Sequence, residues 1–318
     1  MELRAQEQQL QDLRDELKAQ CHAGGDAYNG IRWVEPIVER LTKSFDGDFM
    51  PQHGQSQGIG PQSFFTSKLF HVKSKAAPRA STVEFTLGAD SSNCARFVGP
   101  ELRQGDAIVF MTLLNLCRDY LLGKDVSFDA AAMTRALWGS YNGQQRARLK
   151  SSIQRLQRST IEFADFTVQL VQRFEHPRGG DWCVALDRGI VELFGRERYV
   201  WLELPIWLQL SKGLTTWLYG YICSQQTLIP TPISNLHERC GSDANDKAFR
   251  EMLSNALKQL ASKGIIDSGW HLKDERVHWR KPLTKKPASA RPKKSNPLPP
   301  EQISLLAYDD AAEQLLRP

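Results

Sequence analysis

The amino-acid sequence predicts an α+β fold: two tandem units, each of three helices and a β-hairpin, between a flexible N-terminal region and a disordered basic C-terminal tail. Three observations carry this. Three helical hydrophobic periods followed by an alternating one occur twice between about residue 63 and residue 282. The third helical stretch of each copy is long and polar along one side, and turn residues divide the strands after it. On both flanks the chain becomes rich in Gly, Gln, Pro or Lys, which cannot supply a core.

A chain of 318 residues has room for about two domains plus tails. Eight Trp and fourteen Phe are enough to fill sizeable cores. No run of about 18 apolar residues is present, so no membrane span is expected. The N-terminus, "MELRAQEQQLQDLRDEL", is charged and has no apolar stretch of the secretory kind. Six cysteines stand singly, with no C-x-x-C, which predicts neither a zinc site nor a disulfide framework and suits a reducing cytoplasm. An enzyme is not expected. Gly123-Lys124 lacks the earlier Gly of a phosphate loop and no H-E-x-x-H occurs, so no catalytic residue, metal or cofactor is assigned.

In chain order, residues 1–22 read as a polar helix with Leu3, Leu10, Leu13 and Leu17 on a short heptad seam, which either docks on its own protein or forms a homodimer. Residues 23–62 read as a flexible connection, with one helix candidate at "IRWVEPIVERLTKSF". The first domain, 63–198, begins with "FFTSKLFHV" and "STVEFTLG" as strands. The helix "ELRQGDAIVFMTLLNLCRDYLLG" follows, opened by Gly99 and Pro100 and closed by Gly123. "SFDAAAMTRALWG" is the second helix, capped by Ser127 or Asp129. The third lies in "NGQQRARLKSSIQRLQRSTIEF", and "STIEFADFTVQLVQRF", "EHPRGG" and "DWCVALD" make the hairpin.

The second domain, 199–282, repeats the order. "LPIWLQLSKGLTTWLYGYICSQQ" is helical, with a break near Ser211 or Gly213. "PTPISNLHERCG" stops at Gly241. "SDANDKAFREMLSNALKQLASKG" is capped by Ser242 or Asp243 and stopped by Gly264, and "IIDSGWHLKDERVHW" is the second hairpin. Residues 283–318 read as a disordered basic linker and a C-terminal peptide motif. This order of elements is that of the winged helix, a variant of helix-turn-helix, so the predicted architecture is two tandem winged-helix domains.

The net charge is only +5, yet residues 142–163 hold five Arg or Lys and no acid before Glu162. At 100° per residue, Leu149, Ile153 and Leu156 form the core stripe. Ala147, Ser151, Gln154 and Arg158 lie opposite, with Gln144 close by. Arg148 and Arg155 flank that side on one edge, Lys150 and Gln157 on the other. Small and amide side chains permit approach to base edges, and long cations reach phosphates. Gln144, Arg146, Arg148, Lys150, Ser151, Gln154, Arg155 and Arg158 are therefore candidate contacts to double-stranded DNA.

The second long helix has the core stripe Phe249, Leu253, Ala256, Leu257 and Leu260, and its outward side holds Lys247, Glu251, Asn255 and Lys258. Asp243 and Asp246 suit its N-terminus, where the helix dipole favours acids. Glu251 can accept from cytosine N4 and Asn255 can pair with adenine. Asn245, Lys247, Glu251, Asn255 and Lys258 are the candidates here, with His176 and Arg178 at the first hairpin turn and Lys273 and Arg276 at the second. "RKPLTKKPASARPKK" adds seven cations and no acid, either as an arm along phosphates or as a soluble linker.

From about residue 63 to 282 the chain resembles the TrfA-type replication initiators of bacterial plasmids, a branch of the winged-helix initiator family. "CGSD" (Cys240 to Asp243), "FRE" (Phe249 to Glu251), "LKQLASKGIIDSGWHLKDERVHW", "GIVELFGRERYVWLE" and "LWGSYNGQQRARLKSSIQRLQ" carry the resemblance. It implies binding to origin repeats (iterons), opening of an AT-rich region, recruitment of the host replicative helicase and its loader, and a monomer–dimer balance. "QISLL" in the tail is similar to the bacterial sliding-clamp peptide, with Gln302, Ser304, Leu305 and Leu306 as clamp contacts. Leu306 stands where that peptide has an aromatic, and the segment lies after the two domains instead of ahead of them. An amphipathic tail helix is the other reading. The alternative function is a winged-helix transcriptional or partition repressor without initiation activity.

Overall fold

The computed structural model describes residues 50–282 apart from 52, 55, 75, 88–94 and 197–198. The N-terminal polar helix, the helix candidate at 31–45, the basic tail and the clamp motif lie outside the described residues.

The described chain enters on β1 (Gln57–Pro61) and the short α1 (Gln62–Thr66), where the sequence predicts the end of a flexible connection and then a strand. Ile59 of β1 is fully buried, and β1 pairs antiparallel with a strand some 140 residues later. α1 turns the adjacent Phe64 and Phe65 into the core together, whereas neighbours on a strand would point to opposite faces. β2 (Val83–Leu87) and β3 (Ala95–Gly99) pair antiparallel. β3 has the alternation of a half-buried strand, Ala95 and Phe97 inward and Arg96 outward, over too few residues to stand out in sequence.

α2 (Gln104–Leu116) is apolar nearly all round and buried accordingly. It ends at Leu116, not at Gly123, which has φ +82 and donates its N–H to the Leu186 carbonyl. β4 (Val126–Phe128) contains Ser127, so the cap of α3 (Ala130–Trp138) is Asp129, which accepts from the Ala131 N–H at 2.7 Å. Gly139, at φ +76, stops α3 in the left-handed conformation that glycine tolerates best. α4 (Gly143–Gln157) is capped by Asn142 and buries Leu149, Ser152, Ile153 and Leu156.

The single long strand expected after α4 is three strands on two sheets. β5 (Thr160–Glu162) and β6 (Thr167–Gln169) complete a sheet of order β2-β3-β5-β6, while β7 (Arg173–Glu175) and β8 (Trp182–Ala185) join β4 in the order β4-β8-β7. Leu170 and Val171 are adjacent and both fully buried, which a strand with one solvated face would not permit; the chain changes sheets there.

α5 (Ile190–Arg196) leads to β9 (Tyr199–Glu203), the partner of β1. α6 (Leu204–Gln209) and α7 (Leu214–Ser224) are separated at the expected break, where Gly213 has φ +107. β10 (Thr231–Pro232), α8 (Ile233–Cys240) and α9 (Asp246–Ser262) follow. β11 (His271–Lys273) and β12 (Arg276–His278) meet at Asp274 and Glu275, whose φ values of 49° and 55° fit a two-residue hairpin turn. The cap of α9 is Asn245, two or three residues later than expected: its side chain accepts from the Ala248 N–H at 2.9 Å. Ser242 Oγ instead receives the Ala244 N–H, and Asp243 Oδ1 receives the Ser74 N–H.

The last sheet runs β10-β12-β11. In both halves, then, the strand ahead of the second helix pairs with the final strand of the hairpin. Buried apolar side chains form one continuous cluster from Met50 to Trp279, so the halves share a core.

Candidate nucleic-acid interface

α4 faces outward with Gln144, Ala147, Arg148, Ser151 and Arg158 exposed and Lys150 and Gln154 half-buried. No acid lies on this helix. The arginines, however, are not equivalent. Arg155 donates from Nε and Nη2 to Asp106 Oδ1, at 3.2 and 2.6 Å, and its side chain is 23% exposed. This corrects the expectation that Arg155 faces DNA: its guanidinium is turned inward to an almost fully buried carboxylate. Asp106 also accepts from Ser152 Oγ at 2.7 Å, Arg79 Nη1 at 2.7 Å and the Arg103 N–H at 2.9 Å. Burial alone would raise the Asp106 pKa, but Arg155, Arg79 and Ser152 hold it below the ordinary carboxylate value.

Two tryptophans support the other arginines. The Arg148 guanidinium lies 4.4 Å from the ring centre of Trp138, the last residue of α3. Its pKa is pushed down by burial, with Arg79 and Arg155 acting in the same direction and Asp106 opposing; arginine remains charged regardless. Arg146 stacks 5.3 Å from the Trp182 ring centre and donates to the Pro177 carbonyl at 3.1 Å. It therefore ties the start of α4 to the β7–β8 turn, where Arg178 is exposed. Cation–π pairs of this kind hold a long side chain in place for about 0.5–2 kcal/mol. Lys150 and Arg158 have no acidic partner among the described residues.

α9 presents Lys247, Glu251, Asn255 and Lys258 on one exposed side, as expected from the periodicity. Asn245 does not belong to that set, because its amide oxygen is engaged as the N-cap. In the second hairpin Lys273 and Arg276 are a cross-strand pair and exposed, and Arg276 Nη1 donates to the Pro230 carbonyl at 3.2 Å. Arg250 forms an ion pair with Glu275 at the tip of the turn, so helix and hairpin are linked here too.

The family profile described as TrfA protein matches residues 41–281, well over half the chain. The chain belongs to the TrfA family. It is 25% identical over 236 residues to the plasmid replication initiator protein TrfA of Escherichia coli, an alignment covering 70% of this chain and 61% of that relative. It thus spans about three-fifths of the length of the curated relative it matches. Two crystal structures of domains 2 and 3 of RctB, one a selenomethionine derivative, superpose with TM-scores of 0.48 and 0.45 at 14% and 13% identity. They cover 69% and 68% of this chain and 96% and 94% of theirs.

Sequence reasoning missed the features of this TrfA-family chain that hold its helices in place. Asp106 sits in the apolar run of α2, and only its position at the start of that helix hints at a polar role. Trp138 and Trp182 read as core aromatics. Nothing local connects them to arginines on α4, because those contacts form only when the second helix and the hairpin pack around it.

Proposed function

We infer that this chain binds double-stranded DNA at plasmid origin repeats through two tandem winged-helix units and initiates replication there. The observation that carries the reading is the repeated topology. Each half has a helix, a strand, two helices and a hairpin, and the first strand pairs with the last: β4-β8-β7 and β10-β12-β11. In such a unit the third helix enters the major groove and the hairpin reaches the flanking backbone. Here the third helices are α4 and α9. Membership of the TrfA family, and the replication-initiator description of the Escherichia coli relative, support the initiation part of the reading.

On α4, Gln144, Ser151 and Gln154 are the side chains for base edges, and Arg148, Lys150 and Arg158 those for phosphates. Arg146 acts at the junction with the first hairpin, beside Arg178. On α9, Asn255 pairs with adenine, Glu251 accepts from cytosine N4, and Lys247 and Lys258 neutralise phosphates. Lys273 and Arg276 contact the backbone from the second hairpin. Origin opening then draws on binding and bending free energy, with no nucleotide hydrolysis by this chain. Helicase, its loader and the sliding clamp are the partners this role requires in the bacterial cytoplasm; the clamp contact is assigned to Gln302, Ser304, Leu305 and Leu306.

Selection of bound duplexes from random DNA by the full chain tests the reading. Direct repeats of one site are expected. A single palindrome would contradict initiation and point to a repressor.

A further inference from the structure

Besides the β1–β9 pair, the shared core and the bond from Thr216 Oγ1 to Gln104 Oε1 at 3.1 Å, the two halves meet along residues 66–74 and 76–80. The second half bonds to the backbone of this stretch: Trp217 Nε1 donates to the Ser67 carbonyl at 3.0 Å, and the Val72 N–H donates to the Cys240 carbonyl at 2.8 Å. The Ser74 N–H reaches Asp243 Oδ1 at 3.3 Å, just ahead of the cap of α9. Gly241 is pressed so close that a Cβ there would lie 2.6 Å from the His71 ring.

The first half holds the same stretch from the other side. Arg103, itself 7% exposed, donates to the carbonyls of Ser74, Ala77 and Pro78 and pairs with Glu101 at 2.7 Å. Arg79, within the stretch, donates to Asp106, which in turn receives Arg155 of α4. A path of polar contacts therefore runs from the foot of α9, along residues 66–74 and 76–80, to the last turn of α4. Displacing one half against the other would leave buried charges and carbonyls unpaired, which is costly in a way that bending a solvated linker is not.

We propose that residues 66–74 and 76–80, anchored by Arg103 and Asp106, help fix the separation and angle between α4 and α9, so that the protein measures the spacing of two base-pair blocks as well as their sequences. This rests on the DNA-binding reading above and adds to it a second source of specificity. Each base pair inserted between the blocks moves one of them by about 3.4 Å and turns it by about 35°. Helices in a fixed frame cannot follow that displacement; helices on a loose tether can.

The test uses the full chain and the duplex it selects from random DNA, with base pairs added one at a time between the two contacted blocks. Wild-type protein should lose affinity roughly tenfold or more by the second added pair. The Trp217→Phe/Asp243→Ala double variant lacks two of the bonds to the stretch. It should discriminate between spacings by no more than about threefold, while binding a duplex with either block alone as wild type does. If that variant does not fold, Gly241→Ala, which wedges His71 away from the second half, must give the same loss of discrimination. Folded variants that keep full discrimination overturn the proposal and leave DNA binding standing, as does a wild-type protein indifferent to spacing. A wild-type protein that selects no duplex overturns the functional reading itself.

Discussion

The two long polar helices, α4 and α9, hold the same place in their halves but are built differently. α4 is rich in arginine, and three of its arginines are held: Arg155 by Asp106, Arg148 by Trp138, Arg146 by Trp182 and Pro177. α9 carries Lys247, Glu251, Asn255 and Lys258 on a side with no comparable supports among the described residues. Held guanidinium groups lose little freedom on binding and suit a fixed phosphate geometry. Free amide, carboxylate and ammonium groups can adjust to base edges. On the proposed DNA-binding reading the contrast divides the labour: α4 adds fixed phosphate contacts to its base-reading Gln144, Ser151 and Gln154, and α9 carries the adjustable base contacts.

The largest expected effect breaks the tether of α4. Asp106→Ala leaves Arg155 and Arg79 facing a buried, uncompensated site and should cost about 3–5 kcal/mol of stability in urea unfolding. No single substitution on the exposed side of α9 should cost more than about 0.5 kcal/mol. A loss below about 1 kcal/mol for Asp106→Ala would mean that the pairs around it are not what holds α4.

The tethered side also has a pH signature. Burial, with Lys73 and Lys68 nearby, pushes His71 down to about 4, against the opposing pull of Glu101 and the Leu102 carbonyl. The unfolded chain, with its histidine near about 6.5, takes up the proton first as pH falls. Stability from this group is therefore full above about 6.5 and is lost down to about 4, by up to roughly 3 kcal/mol. Asp106, whose folded pKa is lowered, adds a further loss only as pH falls below about 4. His71→Phe should flatten the difference between urea midpoints at neutral pH and near pH 4.5; an unchanged difference would remove His71 from the explanation.

Smaller effects separate the two helices on DNA. Asn255→Ala should cost on the order of 1–3 kcal/mol and relax preference at one or two base pairs. Arg148→Ala should weaken all duplexes alike and lower the salt slope by about one. Equal loss of base preference in both variants would end the division of labour. The smallest effect is that of Asn245→Ala. As a lost N-cap it should cost about 1 kcal/mol of stability without changing base preference, measured by thermal unfolding and by binding to the selected duplex and its single-base variants.

Much of this was legible in the sequence where the cause is local. The stops at Gly241 and Gly264, the cap at Asp129 as one of two candidates, the core stripes of α4 and α9, and the break before Leu214 all follow from side-chain type and helical period. What failed depends on partners far along the chain. β1 is a strand only because β9 pairs with it, and Phe64 and Phe65 are helical because both are needed in one core. Arg155 looked like a DNA contact because a helical wheel shows an edge position but not the carboxylate of α2 that meets it. Asn245 looked available, although its amide was needed as the cap two or three residues past the expected start of α9.

The claim that α4 and α9 read one site together is tested most directly by a hydroxyl-radical footprint of the full chain on its selected duplex, repeated with Asn255→Ala. Two protected blocks about one helical turn, roughly 34 Å, apart are predicted, with the variant weakening one block before the other. A single block confined to half a turn, or equal weakening throughout, would contradict it.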